Sequence, residues 1–397
     1  MSLPLYLAQR FCSMMAFQMR SVAIGWHVYA VTSSPLDLGL VGLSQFVPML
    51  ILSPFAGQLV DRVDRKKVLL WTLTIDAGLS LTLFWLANSP QLPVTLIYGC
   101  LMVAGAARPF AATAGQSLLP SLVPVVKFPK AVAWNATTWQ IAGVLGPTVG
   151  GVLYASFGAP SVYLICAVLT VFALLFISRV TPGTQRYDRN PVSLNSYLSG
   201  IRFILEKRII LGAISLDLFA VLLGGAMALL PIYAKDILHA GPTGLGFLRA
   251  APGIGAAITG LLLARFPVKK NTGSVMLVCV ALFGVFTVAF GLSTHFILST
   301  VCLFLMGAVD LVSVVIRSMM IQLMTPDEMR GRVSAVNHVF IGTSNELGEF
   351  ESGVTAAWLG TVPAVVLGGL GTLVVVSLWT WRFPEFRRFD SIEATSA

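Results

Sequence analysis

Residues 57–67 read Gly57-Gln-Leu-Val-Asp61-Arg62-Val-Asp64-Arg65-Lys66-Lys67, a dense charged break between two apolar runs, 37–60 and 67–88. A bilayer core of about 30 Å is crossed by about 20 apolar residues in a helix, and each run is long enough. The same alternation of long apolar run and short polar break continues in both directions. It predicts helices over 5–31, 37–60, 67–88, 93–118, 134–155, 160–178, 208–234, 243–265, 273–292, 296–322, 332–358 and 361–381. Interior Pro and Gly do not exclude helices in lipid. Only 11% of the 397 residues are charged and 56% are hydrophobic, whereas soluble domains carry about 25% charge. So few ionic groups cannot cover a water-facing surface, and lipid is the expected solvent.

The charges then report topology. Arg62, Arg65, Lys66 and Lys67, Lys127 and Lys130, Arg179, Arg186, Arg189, Arg202, Lys207 and Arg208, Arg265, Lys269 and Lys270, Arg330 and Arg332, and Arg382, Arg387 and Arg388 all fall on one set of alternating breaks. The opposite set holds only Lys235, while Arg10, Arg20, Arg108, Arg249 and Arg317 fall inside predicted helices. The positive-inside rule places both termini in the cytoplasm and requires an even number of spans. The net charge of +9 is thereby explained without nucleic acid. Cys12, Cys100, Cys166, Cys279 and Cys302 are scattered singly, with no metal or redox spacing. The apolar start lacks an A-x-A cleavage site and carries Arg10 and Arg20, so it reads as the first span rather than a signal peptide.

The longest polar break, 179–207, divides the chain. Leu194, Tyr197, Leu198, Ile201 and Leu205 share a helical face there, which suggests an interfacial helix, with an unstructured linker as the alternative. The expected organisation is a six-helix bundle over 1–178, a cytoplasmic linker over 179–207, a second bundle over 208–381 and a cytoplasmic tail over 382–397. The halves repeat. Tyr29-Ala30 and Tyr233-Ala234, Gly42 and Gly246, and Pro48 and Pro252 are displaced by 204, and Gly57 and Gly260 by 203. Pro124, Ala133 and Asn135 match Pro326, Ala335 and Asn337 at 202. A nearly constant displacement implies an all-α membrane protein of about twelve spans in two pseudo-symmetric bundles. Paired halves of this kind support alternating access, as in the superfamily that serves as the standard example of that architecture.

The 57–67 break resembles the G-x-x-x-D-R-x-G-R-R/K loop between the second and third spans of the major facilitator superfamily. Gly57, Asp61, Arg62, Arg65 and Lys66 match it, and Asp64 replaces the usual glycine. The resemblance implies a cytoplasmic gating clamp, with Gly57 allowing close helix approach and Asp61 holding a cation or a partner helix end. Ala142 through Gly146-Pro147-Thr-Val-Gly150-Gly151 in the fifth span is similar to the G-P-x-x-G-G signature of the superfamily's antiporters, with Ala142 in place of a first glycine. Glycines spaced by four allow backbone-to-backbone packing, and ordinary small-residue packing is the alternative.

Arg108 lies mid-span, where a charge is costly and marks a functional site by default. Its position resembles the fourth-span arginine of proton-coupled exporters; a structural ion pair is the alternative. Proton coupling needs a carboxyl group that desolvation brings to exchange near neutral pH. Asp76, Asp217, Asp310, Glu346, Glu349 and Glu351 are available, and Asp217 and Glu346 fall nearest their span centres. Asn345 and Glu349 share one face, and Glu346 and Glu349 an adjoining one. Asp310 and Arg317, two turns apart, form a candidate local pair. Counter-ion roles toward Arg20, Arg108, Arg249 and Arg317 stand beside the coupling roles.

The stretches at 33–43, 131–136 and 326–333 extend a similarity to the enterobactin-exporter-like branch of the superfamily over residues 5–381. This resemblance implies proton-driven antiport that exports a siderophore, drug or metabolite from a monomer in the bacterial inner membrane, with protons and lipid as partners and no cofactor or metal. Import by proton symport and a non-transporting scaffold or sensor are the alternatives. The branch also leads one to expect a cytoplasmic piece before the first span, missing here or dispensable. No G-x-x-x-x-G-K-[ST] loop supports an ATP-driven pump. His27, His239, His295 and His338 are isolated, which argues against a membrane enzyme. A cysteine added at either terminus should resist a membrane-impermeant maleimide applied to intact cells; labelling of either end from outside would overturn this topology.

Overall fold

A computed structural model of the chain describes residues 2–89, 93–181, 183, 194–268, 270–387 and 389, apart from the side chains of Asp61, residues 194–198, Asp327, Glu328, Ala335 and His338. Arg186, Arg189, Lys269 and Arg388 of the charge map lie outside the described residues, as do the side chains of Leu194, Tyr197 and Leu198. The elements are α1 (Ser2–Thr32), α2 (Pro35–Arg62), α3 (Arg65–Ala87), α4 (Val94–Leu118), α5 (Phe128–Ser178), α6 (Leu194–Glu206), α7 (Arg208–Leu223), α8 (Leu230–Ile232), α9 (Gly241–Arg265), α10 (Thr272–Leu292), α11 (Phe296–Met324), α12 (Asp327–Leu359), α13 (Thr361–Arg382) and α14 (Pro384–Arg387).

Among the described residues, nine helices are long and apolar enough to cross a membrane. One of them, α5, is two spans joined at Gly158, whose φ of 76° and ψ of 178° break the helix. Two more, α1 and α12, miss that criterion because they carry the polar side chains used below, and with them the spans number twelve. Gly158 and Gly360 both have positive φ, and each is followed within three residues by a proline. A side chain would be strained at either corner. Their displacement of 202 is that of the sequence repeat. Gly105 and Gly307 share it too, and each lies under a neighbouring backbone: Gly105 against Gln45 of α2 and Gly307 against Pro252 of α9. The outer surface is apolar and rimmed by indoles. Trp71 and Trp85 are exposed near the two ends of α3, with Trp358 and Trp381 near the ends of α12 and α13, as interfacial anchoring requires.

Backbone contacts separate two compact units: Met1–Pro191 with Ala234–Ala250, and Val192–Tyr233 with Ala251–Ala397. Residues 234–250 thus belong with the first. Unit 1 is built on α1, whose Met14, Met15, Ala16, Met19 and Ala23 pack with Ala142, Val162, Tyr163 and Cys166 of α5. Unit 2 packs Ala213, Leu216 and Ala220 of α7 against Met276 and Val280 of α10, Ile316 and Met320 of α11 and Val376 of α13.

Two features depart from expectation. The predicted helix 208–234 stops at Gly224 and resumes as a 3₁₀ turn, α8 and a π-helical turn at Tyr233–Ile237. The break brings Gly225 so close to α12 that a methyl group added there would lie 2.6 Å from the Gly348 carbonyl oxygen, where a side chain could not fit. In α6 the deeply buried residue is Ile204, which joins Ile210, Ile321, Val333 and Val336, whereas Leu205 is exposed. The helix therefore docks one face on α12, where Arg332 donates to the Ser199 hydroxyl at 3.2 Å. Beyond α13 the described part of the tail folds back onto the bundle. Phe386 is fully buried, the Gly273 amide donates to the Phe389 carbonyl, and Arg208 meets Glu385 at 3.6 Å. Removing a buried phenylalanine costs about 3–5 kcal/mol. Phe386→Ala should lower the thermal unfolding midpoint in detergent markedly, while an unchanged midpoint would show that this fold-back carries no stability.

Candidate functional site

In unit 1 the register of α1 sets the site. Arg20, 6% exposed, donates to the Asp76 carboxylate of α3 at 2.5 Å and to the Ser80 hydroxyl at 2.9 Å. This is a structural pair, one of the roles the sequence left open for Arg20. Two other arginines stack on aromatic rings. The Arg108 guanidinium of α4 sits 5.2 Å from the ring centre of Phe17 on α1, and the Arg10 guanidinium of α1 sits 5.1 Å from that of Trp139 on α5. Such cation–π contacts are strongest where water is scarce. Arg249, in the part of α9 that belongs to unit 1, donates to the Ser21 hydroxyl at 2.5 Å.

The small-residue face of α5 is in close contact on two sides. A methyl group added at Gly146 would lie 2.5 Å from Gln18 Cβ, and at Gly150 it would lie 2.9 Å from Met19 Cα; both belong to α1. At Gly151 it would lie 2.9 Å from Gly246 Cα of α9, and Gly246 in turn faces the Pro147 carbonyl. The 57–67 break ties α3 to its neighbours. Among the described residues, nothing lies within 4 Å of a methyl group added at Gly57. The Asp64 carboxylate accepts from the Lys66 amide at 2.9 Å and caps α3, which gives the departure from glycine a physical use. Lys66 Nζ donates to the Ser178 and Val180 carbonyls at the end of α5, at 2.7 and 2.8 Å, and Arg65 donates to the Ser117 carbonyl at the end of α4 at 3.1 Å. Cations on carbonyl ends of helices are favourable. Arg62 is exposed, and the Asp61 side chain lies outside the described residues.

In unit 2 the expected Asp310–Arg317 pair does not form. Arg317 bridges instead to Asp217 of α7, with side chains 2% and 8% exposed. Asp310 and Ser313 of α11 line a narrow crevice with Asp217, Cys279 and Phe283. Two carboxylates thus line one confined space, and one of them, Asp217, is bridged to the Arg317 guanidinium. On α12 the Asn345 side chain is exposed and donates to the Ile341 carbonyl at 2.9 Å, while Glu346 and Glu349 are half-buried.

The family model described as transmembrane secretion effector matches residues 4–396. The chain belongs to this family of major facilitator transporters. It is 29% identical over 391 residues to the enterobactin exporter EntS of Escherichia coli O1:K1 / APEC, and equally to that of Shigella boydii serotype 18, covering 96% of this chain and 91% of each relative. Among solved structures it resembles the nucleoside transporter NupG (TM-score 0.72, 14% identity, 96% and 100% of the two chains) and a D-xylose–proton symporter (0.73, 12%, 96% and 97%). At such identity these likenesses concern the fold.

For this secretion effector, sequence reasoning had not paired Tyr29 with Asp236. The Tyr29 hydroxyl donates to the Asp236 carboxylate, and Lys235 Nζ lies 5.1 Å from the Tyr29 ring centre, all within unit 1. The repeated Tyr-Ala dipeptide and the lone basic residue of its set of breaks were the available signals. The close packing of α5 also separates two glycines by consequence. Overpacking costs about 1–3 kcal/mol, so Gly150→Val should lower the unfolding midpoint of the purified protein, whereas Gly57→Ala should leave it level or raise it. Equal effects would show that the Gly150 contact with α1 is not a tight one.

Proposed function

We propose that this secretion effector is a proton-coupled antiporter that exports a small molecule by alternating access. The observation that carries the coupling is the buried Asp217–Arg317 bridge with Asp310 on the same crevice. A buried charge pair is costly to keep against apolar replacement, and in a span it is a functional feature by default. Protonating Asp217 would release Arg317, which Asp310 could then hold, so one proton moves the guanidinium between two acids. The two arrangements differ in charge and packing, as a transport cycle requires. Glu346, the equal of Asp217 as a coupling candidate in the sequence, and Glu349 of α12 are the other choices for carrying the proton, with Asn345 beside them.

The export direction is supported by relatives that are named exporters over nearly their whole length. By that likeness the substrate is a siderophore, drug or metabolite, and Arg108, stacked on Phe17, contributes to binding it. Gly146, Pro147, Gly150 and Gly151 form a seam along which α5 can shift, and the Asp61–Lys66 loop gates the cytoplasmic side. The protein works as a monomer in the bacterial inner membrane with both termini in the cytoplasm.

The test is flux in proteoliposomes, with enterobactin as the first solute and a panel of drugs beside it. Acid on the receiving side should accelerate wild-type flux. Asp217→Asn and Asp310→Asn should remove that acceleration, and Arg108→Ala should cut flux at least about tenfold with the protein still in the membrane. Flux indifferent to the pH gradient in the wild type would contradict proton coupling.

A further inference from the structure

Four arginines of unit 1 lie within its helices away from their end residues, and Arg10 stands apart from the others. Arg20 is bridged to Asp76, Arg249 donates to Ser21, and Arg108 lies over Phe17. Arg10 meets no carboxylate among the described residues, and its Nε is buried with no hydrogen-bond partner. A guanidinium inside a span without an anion is costly. The group is held against the Trp139 indole, whose own surface is 45% exposed, and its Nη1 faces Gly115 of α4 beside the Tyr6 hydroxyl, which donates to the Gly115 carbonyl at 2.9 Å.

Two acceptor oxygens of α1 and α5 also have no hydrogen-bond partner among the described residues. Gln9, 2% exposed, has an unpartnered Oε1, and Asn135, one turn from Trp139 on α5, has an unpartnered Oδ1. Seven residues along α1 and seven along α4, about 10 Å in each helix, Phe17 and Arg108 form a second stack of cation on ring. The register is antiparallel: Arg10 lies opposite Gly115, and Phe17 opposite Arg108. Unit 1 therefore carries two cationic-aromatic rungs between α1, α4 and α5.

We propose that Arg10 and Trp139 form a binding site for a flat organic anion. A carboxylate or phenolate accepts from the guanidinium, whose planar donors suit it. The ring lies on the indole face, and hydroxyl groups of the ligand satisfy Asn135 and Gln9. This rests on the reading of the chain as a small-molecule transporter and names the chemical class that its first unit selects.

Equilibrium binding of radiolabelled naphthoate to the purified full-length protein tests it, with naphthylmethanol and naphthylmethylammonium as neutral and cationic counterparts. Naphthoate should bind at least about tenfold more tightly than either. Arg10→Gln should erase that preference and Arg10→Lys should keep part of it. Trp139→Leu should weaken all three ligands together, and it provides a second variant should Arg10→Gln not fold. Equal affinity for the three probes, or an undiminished anion preference in Arg10→Gln, would overturn the site. The two readings fail separately. Anion binding without flux of any solute would sink transport alone, and solute flux without anion preference would sink this site alone.

Discussion

Arg317 and Asp217 meet in unit 2 with 2% and 8% of their side chains exposed, in a chain whose outer surface is made for lipid. Hydrocarbon offers an ion neither hydration nor counter-charge, so each ionic group within a span must find a partner in the protein, a water-filled cleft or a ligand. Arg20 is answered by Asp76 and Ser80 in the same way. The buried pairs fix which faces of α1 and α3, and of α7 and α11, look inward. The small residues follow from the same constraint, because helices in lipid gain by close packing rather than by hiding from water. That is why Gly146 and Gly150 lie on α1, and why Gly105 and Gly307 lie under neighbouring backbones.

Much of this was legible before the structure. Run length and loop charge gave the spans, and the displacement of about 202 between the halves reappears at Gly158 and Gly360, two corners with the same backbone geometry. Those features are properties of single segments or of constant spacing, which a linear text records. Pairings across helices were less accessible. Arg317 could be placed two turns from Asp310 on its own helix, but its actual partner sits a hundred positions earlier on α7. Nothing in one sequence fixes the rotation of α7 against α11. The break after Gly224 was hidden by continuous hydrophobicity, and it is set by the approach to Gly348. Likewise the fold-back lies in a basic, tail-like stretch whose phenylalanines, Phe386 above all, become meaningful only once α10 is beside them.

The charges of the two units point to different tasks. Unit 2 sets two acids on one crevice and bridges one of them to a guanidinium, an arrangement with more than one way to satisfy the cation. Unit 1 sets its unmatched guanidinium on an open ring face, an arrangement that waits for an anion. A transporter that exchanges protons for a solute needs both kinds of site, and the inferred division gives each unit one of them.

The claim at the centre is that the Asp217–Arg317 charges serve coupling and cost the fold more than apolar residues would. Breaking a buried pair costs about 3–5 kcal/mol, whereas replacing both members is often neutral. The decisive measurement is the unfolding free energy of Asp217→Leu, Arg317→Leu and the double variant, read with the pH response of flux. The account predicts two unstable single variants and a double variant as stable as wild type that no longer responds to a pH gradient. A double variant that loses the sum of the single losses, or that still couples to protons, would contradict it.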